Sequence, residues 1–129
     1  MDIKKLIKAA KEASDHSYSP YSKYKVGAVL LARNGKIYTG TNVENASFPA
    51  GMCAERVALF DAVKNGEKEF EALAIYAEGD NFPFPCGICR QVISEFTRDI
   101  QVIIAKSEDE YVVKNISELL PDMFEFTVE

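Results

Sequence analysis

Apolar positions at Ile3, Leu6, Ile7, Ala10 and Ala13 recur at helical spacing and predict a first helix from residue 2 to about 18. Ser19-Pro20-Tyr21-Ser22 breaks it. Residues 24–32 are strand-like, and the apolar run Val26-Gly27-Ala28-Val29-Leu30-Leu31 predicts a buried strand. Asn34-Gly35 is a two-residue hairpin signal, so residues 36–43 form the return strand. That strand delivers Asn42-Val43-Glu44-Asn45 to its carboxyl end, followed by a loop over 46–51.

A second helix is expected over 53–64, with Val57, Ala58, Phe60, Ala62 and Val63 as its apolar surface and Asn65-Gly66 as its stop. Ala72-Leu73-Ala74-Ile75-Tyr76 marks a buried strand within 70–77, and the two prolines between 78 and 85 mark a loop. A third helix spans 86–96 and a fourth strand 101–105. A polar turn at 107–110 leads to a short fifth strand at 111–113 and a helical turn at 117–120 that Pro121 follows. Strands and helices alternate after the first hairpin, which favours an α/β fold with a mixed sheet and helices on both faces. Ligands in such sheets sit outside the carboxyl ends of strands, where the loops before Cys53 and Cys86 lie.

Length and composition narrow the class. At 129 residues the chain reads as a single domain, 1–129, with enough sequence for a proper core. No apolar run approaches a bilayer-spanning length, and the N-terminus has no signal-peptide core, so a cytoplasmic location is expected. The net charge of −5 comes without a Lys or Arg run, which argues against a nucleic-acid partner and for a small ligand. Three cysteines cannot pair fully within one chain, and cytosolic thiols stay reduced.

The chemistry concentrates on those cysteines. Cys86 and Cys89 form a C-x-x-C that opens a helix after a strand; alone it also fits a redox pair or two buried thiols. Cys53 heads another helix in a matching setting, and no fourth cysteine closes the set. Three thiolates leave one position of a tetrahedral zinc open, as catalytic sites require, and soft sulfur donors favour zinc. Glu55 stands two residues past Cys53, placed as a general acid/base that is not itself a ligand. Three thiolates make the site negative; the two helix N-termini compensate, and Arg56 and Arg90 are expected to hydrogen-bond the sulfurs. His16, the only histidine, has no partner at ligand spacing and reads as a helix-end residue.

Cys53-Ala54-Glu55-Arg56 followed by Pro85-Cys86-Gly87-Ile88-Cys89-Arg90-Gln91 resembles the zinc-dependent cytidine deaminases. Tyr21-Ser22-Lys23-Tyr24, Val26-Gly27-Ala28, Asn42-Val43-Glu44-Asn45-Ala46 and Glu118-Leu119-Leu120-Pro121 extend the likeness over nearly the whole chain. The resemblance implies a three-layer α/β/α fold with a five-stranded mixed sheet and one zinc held by Cys53, Cys86 and Cys89. It further implies hydrolytic deamination of cytidine and deoxycytidine in pyrimidine salvage, with Glu55 relaying a proton from an activated water to N3 and then to the departing ammonia. Cysteine rather than histidine before Ala54-Glu55 matches the free-nucleoside branch. Asn42 and Glu44 match the family's ribose-binding positions, and the Ala54 backbone its base contact. Tyr24 stands where the family usually has a stacking Phe. The small enzymes of this type are homotetramers whose sites neighbouring subunits complete, a role that Phe124 or Phe126 matches, although the tail lacks the usual Gly-Pro. Two other readings compete: a deaminase of a modified cytosine nucleoside of the blasticidin type, and a non-catalytic zinc or redox protein.

Overall fold

Five strands form one sheet in the computed structural model, which describes residues 1–128. The elements run α1 (Ile3–Ser14), β1 (Gly27–Ala32), β2 (Ile37–Thr41), a 3-10 turn at Phe48–Ala50, α2 (Ala54–Lys64), β3 (Phe70–Tyr76), α3 (Gly87–Phe96), β4 (Gln101–Ala105), β5 (Tyr111–Asn115) and α4 (Ile116–Leu119). The strand order is β2-β1-β3-β4-β5. Only β3 and β4 pair in parallel; the other neighbours are antiparallel, so the sheet is mixed.

Side chains alternate across a strand, so the central strands feed two cores. Leu30, Leu73, Ile75, Val102 and Ile104 share one core with Leu59 of α2 and Ile93 of α3. Val29, Ala74 and Ile103 share the other with Leu6, Ile7 and Ala10 of α1. Helices therefore cover both faces, the three-layer α/β/α arrangement. No helix among the described residues is long and apolar enough to cross a membrane.

Strand direction fixes where the chemistry falls. β2 and β3 both run antiparallel to the β1 between them, so their carboxyl ends lie at one end of the sheet. Gly27, which opens β1, aligns there with Thr41 and Tyr76. α2 follows β2 and α3 follows β3, so both helices begin at that end. Gly40 lets α2 settle close: a Cβ there would stand 2.3 Å from the Ala54 carbonyl oxygen and 2.5 Å from the Ala58 nitrogen.

Several boundaries differ from the sequence expectation. α1 stops at Ser14, not near 18, because the next residues pair elsewhere: the Tyr18 N–H donates to the Asn42 carbonyl, and the Glu44 N–H to that of Tyr18. His16 lies exposed in this turn. β1 begins at Gly27 rather than at residue 24. The Val26 N–H and the Tyr24 carbonyl are taken up by the Asn42 side chain instead of a neighbouring strand. β5 continues to Asn115, whose side chain then caps α4 in a reciprocal box with Glu118.

Candidate metal centre and active site

Cys53 is the N-cap of α2 and Cys86 the N-cap of α3, one turn before the buried Cys89. Their sulfurs lie within 4.8 Å of one another. A tetrahedral zinc with Zn–S bonds of about 2.3 Å holds sulfurs about 3.8 Å apart, so this soft donor set fits the ion after a closure of about 1 Å. The Cys89 N–H donates to the Cys86 sulfur at 3.4 Å, and an Arg56 Nη donates to the Cys53 sulfur at 3.4 Å. The Cys53 thiol is pushed down to about 5, chiefly by the hydrogen bond from Cys89 and then by Arg56, against the effect of burial. Cys89 is pushed up by that same hydrogen bond and by burial, so Cys53 carries the first negative charge of the cluster.

Glu55 occupies the first turn of α2 and is only 5% exposed. Burial pushes its carboxyl up to about 7, and the negative charge of Cys53 adds to this, partly offset by its own backbone N–H, Cys89 and Arg56. A buried carboxyl of this kind exchanges a proton near neutral pH, as acid/base catalysis needs. Ala54, fully buried at the first helical position, belongs to a turn whose N–H groups have no intrahelical partner.

A cavity of about 470 Å³ opens over Cys53, Cys86 and Glu55. Tyr24, Asn42, Glu44 and Ala54 also line it, as expected, together with Phe84, Met52 and Ile75, which sequence reasoning missed. Burial raises the Tyr24 phenol, and the Glu55 carboxylate adds to that. The Asn42 Oδ1 accepts from the Val26 N–H (2.9 Å) and the Ser17 hydroxyl, while Nδ2 donates to the Tyr24 carbonyl (2.7 Å). One amide N–H remains. Glu44 accepts from the N–H groups of Tyr21 (3.0 Å) and Ser22 (3.1 Å) on one oxygen and from the Ser22 hydroxyl on the other. That hydroxyl holds the Glu44 carboxyl below its ordinary range. Ser17 and Ser22 thus orient two cavity residues, yet serines beside a proline turn carry no signal beyond the turn itself.

One expected residue sits differently. Arg90 makes no hydrogen bond to a sulfur among the described residues: Nε donates to the Pro85 carbonyl (2.8 Å) and an Nη to the Leu119 carbonyl (3.0 Å). One carbonyl just before α3 and one at the end of α4 take up the guanidinium. Phe124 does not line this chain's cavity; it is 68% exposed, and its carbonyl accepts from the Gln91 side chain at 3.0 Å. Phe126, 80% exposed, is also outside the cavity.

Among the described residues the three sulfurs meet no fourth ligand, and they lie beside a buried carboxylate and under an open cavity, a pattern that fits a catalytic rather than a structural metal centre. The comparisons give the family. The model of the cytidine and deoxycytidylate deaminase zinc-binding region matches residues 1–106. A cytidine deaminase of Sporosarcina psychrophila is 43% identical over 125 residues, covering 96% of this chain and 92% of its own. The crystal structure of a cytidine deaminase from Burkholderia pseudomallei matches with a TM-score of 0.92 at 42% identity, over 96% of this chain and 100% of that one. The cytidine deaminase of Mycobacterium tuberculosis matches with a TM-score of 0.85 at 31% identity, over 98% and 99%. The chain belongs to the cytidine and deoxycytidylate deaminase family.

Proposed function

We propose that this chain hydrolyses cytidine and deoxycytidine to uridine and deoxyuridine with release of ammonia, and serves pyrimidine salvage in the cytoplasm. The observation that carries this reading is Glu55, buried beside Cys53 and Cys89 and lining the cavity. Cys53, Cys86 and Cys89 hold the zinc, which when bound supplies a water acidified toward neutral pH. Glu55 would take one proton from the attacking water as its oxygen bonds C4 and pass it to N3; it would then take the proton of the new C4 hydroxyl and pass it to the exocyclic amine, whose bond to C4 breaks to release ammonia as the C4 carbonyl forms. The Tyr24 ring stacks on the base, and the Ala54 backbone contacts it. The remaining Asn42 N–H and the free face of the Glu44 carboxylate take the two sides of a sugar hydroxyl.

Charge favours a nucleoside over a nucleotide. The charged side chains lining the cavity are Glu44, Glu55 and Arg56, and Arg56 is turned to the Cys53 sulfur. Among the described residues no free cation lines the cavity to meet a phosphate. The exposed Phe124 and Phe126, outside their own cavity, support a homotetramer in which neighbours complete each site.

Zinc-quantified protein, followed by cytidine absorbance, tests the reading. Rapid conversion to uridine with about one zinc per chain is expected. Strong turnover of a blasticidin-type nucleoside with little of cytidine would replace the substrate assignment. Glu55→Gln should lower kcat by at least ~10²–10⁴-fold with zinc retained. An unchanged rate would remove Glu55 from the chemistry.

A further inference from the structure

We propose that Arg90 is a positioning residue for the metal centre, acting through the backbone of the loop that presents Cys86. Cys89 sits inside α3, where the helix fixes it. Cys86 stands outside the helix as its N-cap and is exposed, so its sulfur depends on how the preceding loop is held. Arg90 holds that loop at two adjacent carbonyls. Its backbone N–H donates to the Cys86 carbonyl at 2.9 Å, and its Nε donates to the buried Pro85 carbonyl at 2.8 Å.

The same guanidinium is anchored from the other side. One Nη donates at 3.0 Å to the carbonyl of Leu119, the last residue of α4, which has no intrahelical partner. Next along the chain, the Gln91 side chain ties the Phe124 carbonyl to α3 at 3.0 Å. The segment from α4 to Phe124 therefore braces the first turn of α3, and Arg90 carries the brace to Cys86. A planar fork with several fixed donors reaches two carbonyls in different directions; an ammonium on a flexible stem does so poorly. The brace keeps Cys86 poised for the ion, and its loss should speed zinc escape more than it lowers overall stability.

Zinc release into excess chromophoric chelator measures this directly and needs no turnover. Arg90→Met should release zinc on the order of tenfold faster than wild type, the effect typical of groups that orient metal ligands. Arg90→Lys should recover only part of the difference. Ile103→Val, in the core on the α1 face, supplies a destabilised control that should release zinc at the wild-type rate. The proposal fails if Arg90→Met stays within about twofold of wild type, or if Ile103→Val at a matched loss of melting temperature releases zinc as fast. If Arg90→Met does not fold, Arg90→Lys is read by the same assay, and a wild-type rate there overturns the brace. The inference rests on the zinc assignment above: a wild-type chain without zinc overturns both, whereas a loaded wild type with an unchanged variant overturns the brace alone.

Discussion

Gly40→Ala adds one methyl group and should displace the active site. A Cβ at this position of β2 would stand 2.3 Å from the Ala54 carbonyl oxygen, 2.5 Å from the Ala58 nitrogen and 3.1 Å from the Ala58 Cα. All three atoms are backbone, so no side chain can rotate away. Ordinary contact begins near 3.4 Å, so α2 and β2 must separate by about 1 Å. Overpacking of this kind costs about 1–3 kcal/mol. The reduced freedom of alanine in the unfolded chain offsets about 0.4–1 kcal/mol of that. A net loss of about 1–2 kcal/mol should appear as a lower urea midpoint with an unchanged slope. Activity should suffer out of proportion. α2 carries Cys53 and Glu55 at the end being pushed, and a misplacement of 1 Å can cost about 10²-fold in rate. Steady-state kinetics on folded, zinc-loaded Gly40→Ala, alongside urea unfolding, read both effects. A kcat within about threefold of wild type would refute the claim that Gly40 sets the height of the catalytic turn.

Ser22→Ala should raise the Glu44 carboxyl toward its ordinary value, because the Ser22 hydroxyl is the largest cause of its depression. A folded value below the unfolded one means that Glu44's hold on the Tyr21–Ser22 backbone is complete above the ordinary carboxylate range. It is lost as pH falls through the folded value, and Ser22→Ala should move that loss to higher pH. A titration of the Glu44 carboxyl carbon by NMR with an unmoved midpoint would refute this. Tyr24→Phe keeps the ring and should leave kcat/KM for cytidine within about threefold. Tyr24→Ala should raise KM by the ~1–3 kcal/mol of a lost base–aromatic stack. An unchanged KM in the alanine variant would place the ring outside the base site.

The parts of the fold written in local chemistry were legible. The Asn34-Gly35 turn and the Asn65-Gly66 stop fall where expected because each uses a conformation that favours these residues; Gly35 and Gly66 have φ of 91° and 85°. The continuous apolar runs of the core strands were equally plain. What failed was decided by distant partners. Residues 15–18 continue a helical pattern, yet Tyr18 exchanges backbone bonds with Asn42 and Glu44. Tyr24 and Val26 read as strand, yet an amide side chain sixteen to eighteen residues later takes their backbone groups. Arg90 directly follows Cys89, yet its guanidinium donates to the carbonyls of Pro85 and Leu119, the second of them twenty-nine residues away. Gly40 did carry a signal, since a glycine inside a strand marks close backbone approach. The sequence could not say that α2 was the neighbour.

The electrostatics of the cavity tie proton transfer to substrate choice. Two helix N-termini and Arg56 stand against the charge of the three sulfurs, which leaves Glu44 and Glu55 as the carboxylates that face the cavity. Burial, and after it the Cys53 charge, pushes the Glu55 carboxyl up to about 7, where a proton relay works. On the proposed reading Glu44 lies at the sugar end, where it and Glu55 would repel a phosphate. Like-charge contact costs several kcal/mol, so deoxycytidine monophosphate should be turned over at least ~10²-fold less efficiently than deoxycytidine. Added salt should narrow the gap, because screening weakens repulsion at the half-buried Glu44 more than at buried Glu55. Comparing kcat/KM for the two substrates across ionic strength reads this directly. Equal efficiencies would mean that a cation reaches the phosphate, and that the negative cavity plays no part in selecting the substrate.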